Sequence, residues 1–150
     1  MSYNHTDPYT YPNSTVLKNK LDIKNKSELD IIEAEIYDTK MRINTPKGMF
    51  DYNHLMKMHH FLFNDIYDWA GKPREVNIAK KTDYAGTTMF AYSHRIEPEL
   101  KKILTRLDHD FIVECDRNEF CNKISEYFNE VNAVHPFREG NGRTNRLFFR

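Results

Sequence analysis

Residues 135–146 read His-Pro-Phe-Arg-Glu-Gly-Asn-Gly-Arg-Thr-Asn-Arg, which concentrates a proton acceptor, a carboxylate, a glycine-rich turn and paired guanidiniums in twelve positions. Gly140-Asn141-Gly142 can turn through positive φ, which glycine adopts freely and asparagine tolerates. Such a turn aims successive N–H groups at one point and forms an anion-binding nest. Arg143 and Arg146 are three apart and share a face of any helix that begins at the nest. A helix N-terminus, backbone donors and two guanidiniums together make a polyphosphate cradle. Glu139 is suited to Mg²⁺, which is usually held by one or two carboxylates plus substrate phosphates. His135 is the nearby group able to take a proton near neutral pH. The chemistry expected of the segment is that of a metal–nucleotide site with its own base.

Eight fixed letters in this string, at roughly 5% usage each, give a chance match on the order of 10⁻¹⁰ per position. The string resembles the signature loop of the Fic family (the Fic/Doc superfamily), H-x-F-x-[D/E]-G-N-G-R-x-x-R, with every defining position filled. Trp69-Ala70-Gly71-Lys72-Pro73-Arg74, followed by Val76, Ile78 and Lys80, is similar to the family segment that leads into a β-hairpin flap. Tyr9-Thr10-Tyr11-Pro12 and residues 17–21 are similar to the lead-in of stand-alone bacterial members. The resemblance implies transfer of AMP from ATP to a Tyr, Ser or Thr hydroxyl of a target protein. It makes His135 the general base and Glu139 the magnesium ligand. Gly140, Asn141, Gly142, Arg143 and Arg146 become phosphate ligands, joined by Lys80 and Lys81 from the flap. Phe137 is implied to plug the loop into the core. It further implies a protein target docking on the flap near Thr87–Ala91. A toxin or effector role fits this picture, with a small antitoxin supplying an inhibitory glutamate, since no internal inhibitor motif precedes the loop. Two other readings stay open: transfer of phosphate or another nucleotide-derived group, and a non-catalytic Fic-like binding module.

Helices must hold this loop. Ser27 with acidic residues at 28 and 30 predicts a helix start, and Leu29, Ile32, Ile36 and Ile43 predict its apolar face to about residue 44. Asp51 predicts the cap of a second helix carrying Leu55, Met58, Leu62 and Ile66, ended by Gly71. From residue 74 to 91 the helical period disappears, and Val76 and Ile78 alternate with polar neighbours before Gly86–Phe90, which predicts a small hairpin. Ile96, Leu100, Ile103, Leu107 and Phe111 mark a third helix. Asp116 predicts the cap of a fourth, with Phe120, Ile124, Phe128, Val131 and Val134 on one face, running straight into the loop. Gly142 onward predicts a fifth. The expected architecture is all-α: one Fic-type helical domain over residues 1–150, with an extended lead-in (1–14), a flap (74–91) and the loop (135–146). The family continues the motif helix well past Arg146, so the expectation is a domain cut shortly after that helix begins.

Composition narrows the partners. The 150 residues carry 22 basic and 22 acidic side chains and sum to zero charge, which argues against direct nucleic-acid binding through a basic surface. No signal-peptide pattern opens the chain, and no apolar run approaches the ~18 residues of a membrane span. On one helix, Cys115 and Cys121 would be about 9 Å apart, beyond the roughly 7 Å a disulfide allows. Unpaired thiols suit a reducing compartment, so a cytoplasmic location is expected, compatible with delivery into another cell. His54, His59 and His60 lack the i, i+4 spacing of a helical zinc pair and are expected to be ordinary helix polar groups. Trp69 is expected to be a core anchor.

Overall fold

The computed structural model describes residues 7–84, 86–110 and 115–150. Within them the order is α1 (Lys26–Met41), α2 (Tyr52–Phe63), β1 (Ala79–Thr82), β2 (Gly86–Met89), a 3₁₀ turn (Ser93–Arg95), α3 (Ile96–Asp110), α4 (Arg117–Val134) and α5 (Asn141–Phe148). The helical domain with one small hairpin expected from spacing is the fold observed. Phe111, the last apolar residue assigned to the third helix, lies outside the described residues, as does the start of the lead-in.

α2 is the central element. It packs against α1, α3 and α5, with Leu55, Met58, Leu62 and Phe63 almost fully buried. Each such side chain contributes roughly 1.5–3 kcal/mol through its removal from water. Asp51 caps the helix, its carboxylate accepting from the His54 N–H. The C-terminal end differs from expectation: α2 stops at Phe63, not near Gly71. Lys20 claims the carbonyls that would continue the ladder, its N–H donating to Ile66 O (2.7 Å) and its Nζ to Asn64 O (2.6 Å). Ile66 is buried all the same, beyond the helix.

α1 also departs from the sequence reading at both ends. Its N-cap is Asn25, whose side chain accepts from Glu28 N–H, and it ends at Met41, leaving Ile43 exposed. α3 carries Pro98 in its first turn, where a missing N–H costs nothing, and buries Ile96, Leu100, Ile103, Leu104 and Leu107. α4 begins with a capping box between Asp116 and Glu119. Its apolar face is only partly used: Tyr127, Val131 and Val134 are buried and Phe120 is exposed. Cys115 precedes this helix and Cys121 lies in it; both are free.

The hairpin is antiparallel, pairing Ala79 with Met89, Lys80 with Thr88, Lys81 with Thr87 and Thr82 with Gly86. Val76 and Ile78, expected in its first strand, precede it. The lead-in is folded back more than expected: Thr10 bridges Leu17, and Tyr11 N–H donates to Val16 O (2.9 Å). Val16 and Leu17 thereby join the core.

Candidate active site

α4 ends where the site begins. Its C-cap is His135 itself, held in the left-handed region (φ 52°, ψ 63°). A non-glycine residue there carries strain of order 1–3 kcal/mol, and such strain collects at functional sites. The turn sends Pro136 and Phe137 inward, both buried, with Phe137 fully enclosed. Asn141 then closes the loop on itself: its Oδ1 accepts from Phe137 N–H (2.9 Å) and its Nδ2 donates to Phe137 O (2.8 Å). Its side-chain amide is thus committed to the loop, and the group it offers outward is its backbone N–H.

Gly140 is the N-cap of α5, with φ 83° and no side-chain cap. A Cβ at this position would come 2.4 Å from the Phe63 ring, so the turn requires glycine. Asn141 and Gly142 do not take positive φ; they form the first turn of α5. The anion-binding feature of the loop is therefore an uncapped helix N-terminus rather than an extended nest.

His59 supports the loop from below. Its Nδ1 accepts from Gly71 N–H (2.8 Å), which leaves the proton on Nε2 to donate to Glu139 O (3.0 Å). The ring stacks on Phe137 at 3.7 Å. Burial pushes its pKa down to about 3; the bond to Glu139 opposes this, while Arg143 and His60 add to it. This histidine is a neutral strut, more deeply built in than the helix polar group expected from sequence. Its partner is 80 residues away, and no local pattern announces it.

The cavity in front of the loop, about 480 Å³, is lined by Ile78, Ala79, Lys80 and Phe90 from the hairpin side and by His135, Arg138, Glu139, Gly140, Asn141 and Gly142 from the loop. His135 is half-buried there. Its Nδ1 faces Asn132 O at 3.3 Å; a carbonyl only accepts, so Nδ1 carries the proton and Nε2 keeps its lone pair. Phe90 stacks on the ring at 3.9 Å. Desolvation lowers the pKa of His135; the bond to Asn132 and the charge of Glu139 oppose it, and Arg74 and Lys80 add to it. The imidazole is a free base at neutral pH.

The remaining residues singled out in the sequence divide. Lys80 lines this cavity; Lys81, pointing to the other face of the same strand, is not among its lining residues. Arg146 is exposed on α5, with Nη1 3.4 Å from the position a Cβ would take on Gly142. It therefore lies over the helix N-terminus, and it makes no ion pair among the described residues. Arg143 faces the other side of the loop. It is ion-paired with the buried Glu33 of α1, lies 3.4 Å from Glu139, and sits over the Phe63 ring. Tyr67 donates to the second Glu33 oxygen (2.5 Å). Trp69 stacks on Tyr67 at 4.4 Å, in keeping with a core anchor.

Glu139 is the carboxylate that fits a hard cation. It is exposed into the cavity beside Gly140 and His135, and among the described residues no group of three or more His, Cys, Asp or Glu forms a closed metal site. One carboxylate facing a phosphate site is the donor set magnesium uses, with nucleotide oxygens completing the shell.

A helical scaffold, an uncapped α5 and a base on a left-handed helix end define a Fic-type loop domain. The chain belongs to the Fic/DOC family, whose model matches residues 49–150. It is 40% identical over 148 residues to the protein adenylyltransferase VbhT of Bartonella schoenbuchensis, covering 95% of this chain and 30% of that protein. It is 36% identical over 144 residues to the probable protein adenylyltransferase y4lH of Sinorhizobium fredii, covering 95% and 72% respectively. Among solved structures it resembles BepC of Bartonella tribocorum with bound AMPPNP, with a TM-score of 0.79 and 28% identity over 94% of this chain and 74% of that one. The chain therefore spans less than a third of one of these relatives and nearly three quarters of another. Among the described residues, no helix is long and apolar enough to cross a membrane.

Proposed function

We propose that the protein transfers AMP from ATP to a hydroxyl side chain of a target protein. The observation that carries this reading is that His135, whose Nδ1 is engaged by Asn132 O, lines the same cavity as the uncapped N-terminus of α5. The nucleotide phosphates lie against the N–H groups of the first turn of α5, with Arg146 above that turn and Lys80 across the cavity. Glu139 would hold magnesium, which would neutralise phosphate charge there. His135 Nε2 takes the proton of the incoming hydroxyl, whose oxygen forms a bond to the α-phosphorus. The bond from that phosphorus to the α–β bridging oxygen breaks, and pyrophosphate leaves with the electron pair. Positioning and charge stabilisation supply most of the rate in such transfers. The relatives named adenylyltransferases and the AMPPNP-bound BepC support this reading.

The target segment is proposed to pair along the open edge of the hairpin, where main-chain hydrogen bonds fix register without demanding a sequence. Incubating the protein with a lysate and either α-labelled or γ-labelled ATP tests the reaction, with autolabelling scored as well. Label from the α position on hydroxyl side chains is the expected result. Label from the γ position alone would make the protein a phosphotransferase. Absence of label from both, with ATP still bound, would make it a binding module.

A further inference from the structure

Arg74 is 2% exposed, and among the described residues no carboxylate pairs with it. A buried cation without a counter-ion is costly unless every donor is satisfied. Here four backbone carbonyls accept from four of the five guanidinium N–H groups. Nε donates to His135 O (2.8 Å), and Nη2 to Val134 O (3.2 Å) and Ala91 O (2.6 Å); Nη1 donates to Val76 O (2.7 Å). The Arg74 backbone N–H adds a fifth bond, to Pro136 O (2.8 Å). Burial pulls the guanidinium pKa below its ordinary value.

The identity of the acceptors is what matters. Val134 and His135 are the last carbonyls of α4, orphaned by the helix end and carrying the negative end of its dipole. Val76 and Ala91 are the entry and exit of the segment that carries the hairpin. One planar fork thus joins the residue bearing the base to both roots of the surface proposed to hold the target. It also anchors the exit residue next to Phe90, which lies on the His135 ring.

We infer that Arg74 is a positioning residue that holds His135 and the roots of the hairpin as one unit, so that a segment docked on the hairpin meets the base at a set distance. This rests on the adenylyl-transfer reading for its consequence, but not for its geometry. Lysine keeps the charge yet lacks the rigid fork, so Arg74→Lys is the informative variant.

Three readouts on Arg74→Lys test the inference: ATP affinity by calorimetry, kcat for AMP transfer, and the His135 ring-proton resonance, which the stacked Phe90 shifts upfield. We expect kcat to fall by about 10²-fold or more while the Kd for magnesium–ATP stays within about threefold, because displacement of the base by 1 Å is enough for such a loss. The His135 resonance should move downfield as the stack loosens. Wild-type kcat with an unmoved resonance overturns the inference, and so does an equal loss of kcat and ATP affinity. If the variant fails to fold, exchange of the Arg74 Nε proton in the wild type decides the matter. Strong protection, together with that of the His135 and Ala91 amides, upholds the unit, whereas exchange as fast as that of exposed Arg95 overturns it. A wild type that transfers no AMP overturns the functional reading instead, and the resonance and exchange results still judge the coupling.

Discussion

A methyl group added at Gly140 would come 2.4 Å from the Phe63 ring, whereas one added at Gly86, at the hairpin turn, would meet nothing within 4 Å among the described residues. Both glycines have positive φ, 83° and 72°. The loop is braced by His59, by the Asn141 side chain and by Phe137, all buried. The residues of β2, by contrast, are exposed throughout. The region proposed to hold phosphates in one geometry is over-determined, and the region proposed to receive a changing partner is exposed. His135 stands where they meet, with Phe90 from the hairpin side on one face of its ring.

The largest effect expected from breaking this arrangement is chemical. His135→Ala should lower AMP transfer by about 10²–10⁴-fold, the usual contribution of a general base, with ATP binding by calorimetry nearly intact. Transfer that survives the substitution would remove His135 from the mechanism.

Paired substitutions test the contrast between the two regions directly. Gly140→Ala should cost at least about 2 kcal/mol in urea unfolding, from overpacking against Phe63 added to backbone strain. A Cβ on Gly86 meets no neighbour among the described residues, so Gly86→Ala should cost less, about 1–2 kcal/mol for backbone strain alone. Equal costs would show that the loop is no more constrained than the hairpin.

Acid should weaken the floor of the site. His59 is neutral in the fold with its pKa pushed down to about 3, against 6.5 when free. Its contribution to stability is fully present above pH 6.5 and is lost as the pH falls from there toward 3, because the unfolded chain binds the proton first. The slope it adds is at most about 1.4 kcal/mol per pH unit. Urea unfolding between pH 7.5 and 5 should show this loss, and His59→Gln should flatten it. An unchanged slope in the variant would mean that other groups carry the acid sensitivity.

The smallest effect separates neighbours on one strand. Lys80→Ala should weaken ATP binding several-fold and more than Lys81→Ala does, since only Lys80 lines the cavity. Equal effects on calorimetric affinity would place both ammonium groups at the nucleotide.

Much of this was legible in the sequence because it depends on short-range rules. The Asp51 and Asp116 caps and the apolar faces of α2 (Leu55, Met58, Leu62) and α3 (Ile96, Leu100, Ile103, Leu107) follow local rules, and the structure has them as the spacing predicts. The errors lie where distant residues intervene. Lys20 takes carbonyls that would extend α2 from as far as 44 residues away; the cap of α1 is the local exception, since Asn25 takes it two residues before Ser27. The role of His59 depends on Glu139, and that of Arg74 on carbonyls up to 61 residues away. The Arg143–Glu33 pair likewise joins elements that no periodicity connects. A motif reports which groups are present; which way each one faces is settled by the rest of the chain.

The left-handed end of α4 carries an evolutionary consequence. Glycine, or failing that asparagine, is the residue a helix terminus of this shape favours, and this chain places histidine there against that preference. If His135 is the base proposed above, selection for stability alone would discard it, since the trade between stability and activity is drawn at this one position. In a lineage that had given up the chemistry but still needed the scaffold, position 135 is the place where drift should be seen first, and glycine is the residue it should reach.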